Sequence, residues 1–150
     1  MSSCIDVANL FLSWANRDGD LITNLKLQKL LYYAQAWHLV HLKKCLFNET
    51  IEAWELGPVV PVAYKEFKRF SFRPIEYKNN NHEEKRFTKE QLNFLVTCYS
   101  TFIKFPATEL VNMSHNEDPW KNAYASPSKI ISHHSMQKYY SELLKKQIKK

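Results

Sequence analysis

Hydrophobic residues occupy nearly every face of the stretch from Thr23 to Leu42 when it is plotted at helical spacing. A surface helix keeps one face polar, so this pattern predicts a buried central helix with Thr23 as its N-cap. One face carries Leu27, Leu30, Leu31, Ala34, Trp37, His38 and His41, and the opposite face carries Leu25, Tyr32, Ala36 and Leu39. The apolar pattern is interrupted only at Lys26, Gln28, Lys29 and Gln35.

Shorter stretches of the chain also have helical periodicity. They predict a helix over 4–16, a long helix after the capping box Thr88–Gln91, and further helices over 62–70, 107–113, 118–125 and about 135 to the end. The helical period is lost over 45–56, which predicts an extended segment or small hairpin, and 74–77 is expected to form one more strand. The predicted fold is therefore mainly α, a single compact helical domain over 1–150 built around one buried central helix at about 23–42.

Composition narrows the function classes. The chain has only 2 Gly in 150 residues, which argues against Gly-rich phosphate loops and a turn-rich β sandwich. Cys4, Cys45 and Cys98 form no C-x-x-C pair, which argues against structural zinc and fits a reducing cytoplasm. No window has the length and apolarity of a membrane span or a signal peptide, so a cytoplasmic protein without membrane contact is expected.

The chain is basic, with a formal net charge of +6, and lysines cluster in the C-terminal helix end at about 145–150. Such a cluster suits the negative end of a helix dipole. The alternative is a nucleic-acid or acidic-protein partner, and nucleic acid is the less favoured of these interpretations.

Two groups of titratable residues are candidates for chemistry. His38 and His41 lie on the central helix without the Glu of a zinc-protease motif, so satisfied core histidines are the simpler interpretation. His115 with Glu117 and Asp118 could form an acid–base or metal cluster, although turn and capping chemistry explains the same residues. With no nucleophile elbow and no catalytic-Cys signature, we expect no enzyme activity, no metal and no cofactor.

Three ordered motifs together resemble the Panacea domain, the SocA-like antitoxin family, which includes GepA-type phage-associated proteins. The first motif is Leu25-Lys-Leu-Gln-Lys-Leu-Leu-Tyr-Tyr-Ala-Gln35. The second runs from Leu46-Phe47 through Ile51-Glu-Ala-Trp54 to Gly57-Pro-Val-Val-Pro61 and Tyr64. The third is Ser114-His115 with Asp118-Pro119-Trp120, and the resemblance extends from about residue 5 to about 144.

The resemblance implies an all-helical core and an antitoxin that binds and neutralises a cognate toxin, usually encoded next to it. It also implies a second route, in which the domain acts as an adapter that delivers the toxin to a Clp-type protease. A phage-associated interaction protein without a toxin partner, or a nucleic-acid-binding module, remains as an alternative.

The motif residues divide into two predicted groups. Buried aromatics and turn residues explain most of them structurally. This structural group consists of Leu27, Gln28, Leu30, Tyr32, Trp54, Gly57, Pro58, Pro61, His115, Pro119 and Trp120. The predicted contacts to a partner, expected to be exposed, are Lys26, Lys29, Tyr33, Tyr64, Lys65 and Arg69.

Overall fold

The computed structural model describes residues 1–148, which form seven α-helices and one small hairpin. The predicted mainly-α fold is confirmed. The helices are α1 (Cys4–Asp18), α2 (Asn24–His41), α3 (Pro61–Phe67), α4 (Lys89–Phe102), α5 (Ala107–His115), α6 (Asp118–Tyr124) and α7 (His133–Ile148). The antiparallel strands are β1 (Glu52–Trp54) and β2 (Gly57–Val59). The expected basic helix end at 145–150 includes Lys149 and Lys150, which lie outside the described residues.

Local side chains set where several helices begin and end. Thr23 accepts a hydrogen bond from the backbone N–H of Lys26, as expected for the N-cap of α2. Thr88 and Gln91 form the predicted capping box of α4. Gly19 ends α1 in the left-handed region, at φ 76°. These signals act within a few residues, which is why the sequence locates the helices well.

Helix α2 is the centre of the molecule, as its all-round apolar pattern predicts. Of its 18 residues, 14 are buried. It packs against α1, α3, α4, α5, α7 and β2. Within residues 1–148, none of the helices is long and apolar enough to cross a membrane.

The extended segments differ from their predicted positions. The hairpin lies at 52–59 rather than over 45–56, because the backbone of Leu46 and Phe47 bonds to a side chain of α2 rather than to a strand. At 74–77 only an isolated bridge between Thr23 and Pro74 forms. Proline has no N–H to donate, and the contact is completed by one bond from Ile75 N–H to the carbonyl of Ile22 at 2.8 Å.

The hairpin turn approaches α2 so closely that only glycine fits at its first β2 position. Gly57 has φ 108°, a conformation that L side chains rarely adopt. A Cβ atom there would lie 2.7 Å from Cε of Lys29 and 2.9 Å from Oγ of Ser114. Both neighbours are fully buried, so neither has room to move away.

We expect Gly57→Ala to destabilise the protein by about 2–4 kcal/mol, because backbone strain adds to overpacking. Gly19→Ala is the matched control, since Gly19 also has positive φ but an added Cβ would meet no atom within 4 Å. Gly19→Ala should lower the free energy of unfolding by only about 1 kcal/mol, because it adds backbone strain without overpacking. Urea unfolding of both variants measures the difference, and equal losses would contradict the packing argument.

Candidate functional site

The polar residues of the first motif point into the protein and hold the chain around the hairpin. Gln28 accepts a hydrogen bond from the backbone N–H of Val60 at 2.9 Å and donates to Oδ1 of Asn24 at 2.9 Å. Lys29 donates from Nζ to the carbonyl oxygen of Pro58 at 3.0 Å. Two consecutive side chains of α2 therefore bind the backbone within β2, at Pro58, and directly after it, at Val60.

Gln35 forms side-chain hydrogen bonds to the backbone of the irregular segment before the hairpin. Its Nε2 donates to the carbonyl of Phe47 at 2.7 Å, and its Oε1 accepts from the N–H groups of Leu46 and Phe47 at 2.7 and 3.3 Å. Buried backbone groups without a partner cost about 1–3 kcal/mol each. One glutamine thus satisfies three backbone groups in a segment that has no sheet neighbour.

The expectation that Lys29 is exposed is wrong, because its side chain is completely buried. Burial lowers the pKa of its amine to about 7. The only ion pair recorded within residues 1–148 joins Arg17 and Asp18, so no carboxylate in that range compensates a charge on Lys29. Lys29 is a structural donor rather than a surface contact.

The third motif binds the hairpin from the other side. His115 donates from Nε2 to the carbonyl of Glu55 at 2.9 Å, and Trp120 donates from its indole to the carbonyl of Trp54 at 2.9 Å. The rings of His115 and Trp120 pack against each other with centres 4.2 Å apart and planes tilted by 37°, and Trp54 packs edge-on against Tyr64 at 5.0 Å. The three motifs, distant in sequence, therefore meet at one hairpin.

The other motif residues lie in the core or at helix starts. Leu27, Leu30 and Tyr32 are buried in the core. Pro61 and Pro119 stand in the first turns of α3 and α6, where a missing N–H costs nothing.

A second cluster joins α2, α6 and α7 through one carboxylate, that of Glu117. Tyr33 and Tyr140 both donate to Oε1 of Glu117, at 2.6 and 2.8 Å, and the hydroxyls of Tyr32 and Tyr140 lie 2.9 Å apart. Burial raises the pKa of Glu117, opposed by the two tyrosine hydrogen bonds. The prediction that Tyr33 is exposed is wrong, since its ring is 1% exposed and stacks on Phe102 at 4.6 Å.

Three members of this cluster, Tyr33, Glu117 and Tyr140, line a groove of about 580 Å³. The walls come from α2, α4 and α7 and are mostly aromatic or aliphatic, with Glu117 as the carboxylate among them. The size is within the range of protein ligand sites. The aromatic residues of the lining are Tyr33, Trp37, Phe94, Phe102, Phe105 and Tyr140.

The remaining predicted contacts lie in different environments. Lys65 and Arg69 are exposed, as expected, and Tyr64 is half-buried against Trp54. Lys26 is half-buried and donates from Nζ to the carbonyl of Ile103 at 2.6 Å, so its charge is partly used within the fold.

Sequence reasoning missed an exposed aromatic residue close to this predicted contact region. Phe72 is 95% exposed and follows Ser71, whose φ of 55° makes a sharp turn after a 3-10 helix at Lys68–Phe70. The guanidinium of Arg73 donates to the backbone carbonyl of Arg69 across this turn at 3.3 Å. The available signal was the second phenylalanine of Arg-Phe-Ser-Phe-Arg, which is Phe72. Its exposure, however, depends on the turn at Ser71.

Of the two histidines expected in the core, His38 is buried, whereas His41 is exposed at the C-terminal end of α2. His38 is buried and donates from Nδ1 to the carbonyl of Lys44 at 2.7 Å. His115 and Glu117 bond to different partners, the hairpin and the tyrosines respectively. Among residues 1–148 no three His, Cys, Asp or Glu side chains are arranged to hold a metal ion.

Comparison with known proteins identifies the family. The sequence model described as "Antitoxin SocA-like, Panacea domain" matches residues 27–121, well over half of the chain. This chain belongs to that family. The matched range contains the first motif from Leu27 onward, the whole of the other two motifs, and Glu117.

Among curated proteins, Antitoxin SocA of Caulobacter vibrioides (strain NA1000 / CB15N) is 49% identical over 61 residues. The match covers 41% of this chain and 32% of the relative, so the chain spans about a third of the length of that protein. No solved structure matches the chain.

The buried amine of Lys29 predicts an unusual pH dependence of stability. Between about pH 7 and about pH 8.5 the unfolded lysine stays protonated while the folded one loses its proton, so the unfolded state binds more protons. The free energy of unfolding should therefore rise with pH, by at most about 1.4 kcal/mol per pH unit.

Lys29→Met keeps the apolar stem and removes the titrating group, so its stability should rise less across the same pH range. Denaturant unfolding at several pH values compares the two slopes, and subtraction cancels contributions from other groups. If the free energy of unfolding changes with pH in the same way for wild type and Lys29→Met, Lys29 keeps its proton when buried.

Proposed function

We propose that this chain is a cytoplasmic antitoxin that neutralises a cognate toxin by direct binding, without enzymatic chemistry. Family membership over residues 27–121 is the observation that carries the proposal. The similarity to Antitoxin SocA over 61 residues supports it.

The use of the motif side chains supports a binding role. Gln28, Lys29 and Gln35 donate to or accept from backbone groups of the same chain, as do His115 and Trp120. The motifs therefore act as a scaffold that fixes the hairpin and the neighbouring helices. Recognition of a partner falls to residues on the surface that this scaffold presents.

We assign one contact surface to α3 and the turn that follows it, defined by Lys65, Arg69 and Phe72. Phe72 is a large apolar side chain held out into solvent by a tight turn, with cationic side chains close by in sequence. Aromatic and arginine side chains are enriched among residues that dominate interface energy. This combination suits a protein partner with an apolar pocket and an acidic rim.

The test is co-expression with the product of the adjacent gene. The neighbour alone should arrest growth, co-expression should restore it, and the two proteins should co-purify. A harmless neighbour, or one that stays toxic while bound, would overturn the proposal.

Delivery of the toxin to a Clp-type protease is a separate proposal within the same function. The two routes differ in the amount of toxin that remains. Neutralisation by binding leaves the toxin level unchanged during rescue, whereas delivery lowers it in cells that contain the protease and not in cells that lack it.

We expect Phe72→Ala to weaken toxin binding by about 2 kcal/mol, the size of an interface hot spot. Thermal stability should be unchanged, because the Phe72 side chain makes little contact within the fold. Calorimetry with the purified toxin measures the affinity. Val96→Ala on α4 is the control, because it truncates another exposed apolar side chain, 51% exposed, away from this surface. Equal affinity of wild type and Phe72→Ala would exclude Phe72 from the interface.

A further inference from the structure

The carboxylate of Glu117 is only half satisfied by the protein. Both tyrosine hydroxyls donate to the same oxygen, Oε1. No hydrogen bond from the described residues reaches Oε2, yet every buried side-chain N or O atom in that part of the chain has a partner. Oε2 is therefore not fully buried, and Glu117 is one of the residues that line the groove.

No cation of the groove lining compensates this carboxylate. Although the chain carries a net charge of +6, no lysine or arginine is among the described residues that line the groove. The one imidazole in the lining, that of His41, stacks on Trp37 with ring centres 5.7 Å apart. A partly buried carboxylate without a counter-ion is costly, and a bound cation removes that cost.

The walls around Glu117 suit an apolar stem with a cationic end. Trp37 and Tyr140 lie 5.3 Å apart, and Tyr33 and Phe102 stack at 4.6 Å, so aromatic rings surround the approach to the carboxylate. Aromatic faces attract ammonium and guanidinium groups. Aliphatic contact comes from Leu143, Leu144 and Met113.

We propose that this groove receives a lysine or arginine side chain of a protein partner, inserted from an apolar segment and paired with Oε2 of Glu117. The aliphatic stem of that side chain packs between the aromatic walls while its cation reaches the carboxylate. The choice of a protein as the source rests on the proposed function. The groove shares no residue with the surface around Phe72, so variants at each test them separately.

The first experiment uses small probes and needs no partner. Hexylammonium, butylguanidinium, hexanol and hexanoate are titrated into the 15N-labelled protein, and NMR shifts report the site and the affinity. Both cations should bind about tenfold more tightly than hexanol, and hexanoate more weakly still. The largest shifts should fall on the Trp37 indole and on backbone amides of Thr101 and Leu143. Equal affinity for hexylammonium and hexanol, or shifts elsewhere, would overturn the proposal.

Glu117→Gln tests the role of the charge. The amide oxygen can still accept from Tyr33 and Tyr140, so the fold is retained, and thermal stability should be unchanged or higher because a buried charge is removed. The preference for hexylammonium over hexanol should disappear. Glu142→Gln makes the same change at an exposed position on α7 outside the groove lining, and it should keep the preference. If both variants lose the preference for hexylammonium, the preference comes from the net charge of the protein, and the proposal of a site at Glu117 is overturned.

The second experiment asks whether the cation comes from the partner. Glu117→Gln should weaken the complex with the cognate toxin about tenfold or more, and Glu142→Gln should not. The lysines and arginines of the toxin are then replaced one at a time. For one of these toxin variants, Glu117→Gln should cause no further loss of affinity. If Glu117→Gln leaves the toxin affinity unchanged, the docking proposal is overturned. A cation that binds in the groove is then a small organic molecule and not a side chain of the toxin. If the chain has no toxin partner, the proposed function fails, while the probe titration still decides the cation site.

Discussion

Hydrogen bonds from α2 side chains to the backbone of the segment that follows it are the interactions on which the remaining structure depends. Half of residues 45–60 are buried, yet the segment contains only two short strands, so regular structure alone cannot satisfy its buried backbone groups. Gln28, Lys29 and Gln35 supply the missing partners from within the apolar central helix. Losing one of them would leave a buried donor or acceptor without water to replace it.

The position of the hairpin in turn determines the position of Glu117. His115 and Trp120 bind carbonyls of the hairpin, and this brings the connection between α5 and α6 against α2. Glu117 lies in that connection, within hydrogen-bond distance of Tyr33 and Tyr140. The residues that build the scaffold thus also place a carboxylate under an aromatic groove, which links the fold to recognition in a way that no single motif indicates.

The sequence predicted the helices accurately but placed two buried residues of α2, Lys29 and Tyr33, on the surface. Lys29 and Tyr33 were expected on the surface because lysine and tyrosine hydroxyls are usually hydrated. Lys29 is buried with the carbonyl of Pro58 as its hydrogen-bond acceptor, and Tyr33 is buried with the carboxylate of Glu117 as its acceptor. Lys65 and Arg69 are exposed as expected, since they lie on a short helix and turn at the edge of the fold. The exposure of Phe72 was missed because its neighbour Ser71 adopts a positive φ that composition does not reveal.

The sequence by itself determined where the helices start, which helix is central, and the family to which the chain belongs, because caps, periodicity and ordered motifs act through near neighbours. Only the tertiary structure decided that Lys29 and Tyr33 are structural as well, and which carboxylate is incompletely hydrogen-bonded. Those outcomes depend on partners far apart in the chain, such as Lys29 with Pro58, 29 residues away, and Tyr32 with Tyr140, 108 residues away. Whether a polar group is satisfied inside a protein is a property of its three-dimensional neighbours, which no local pattern records.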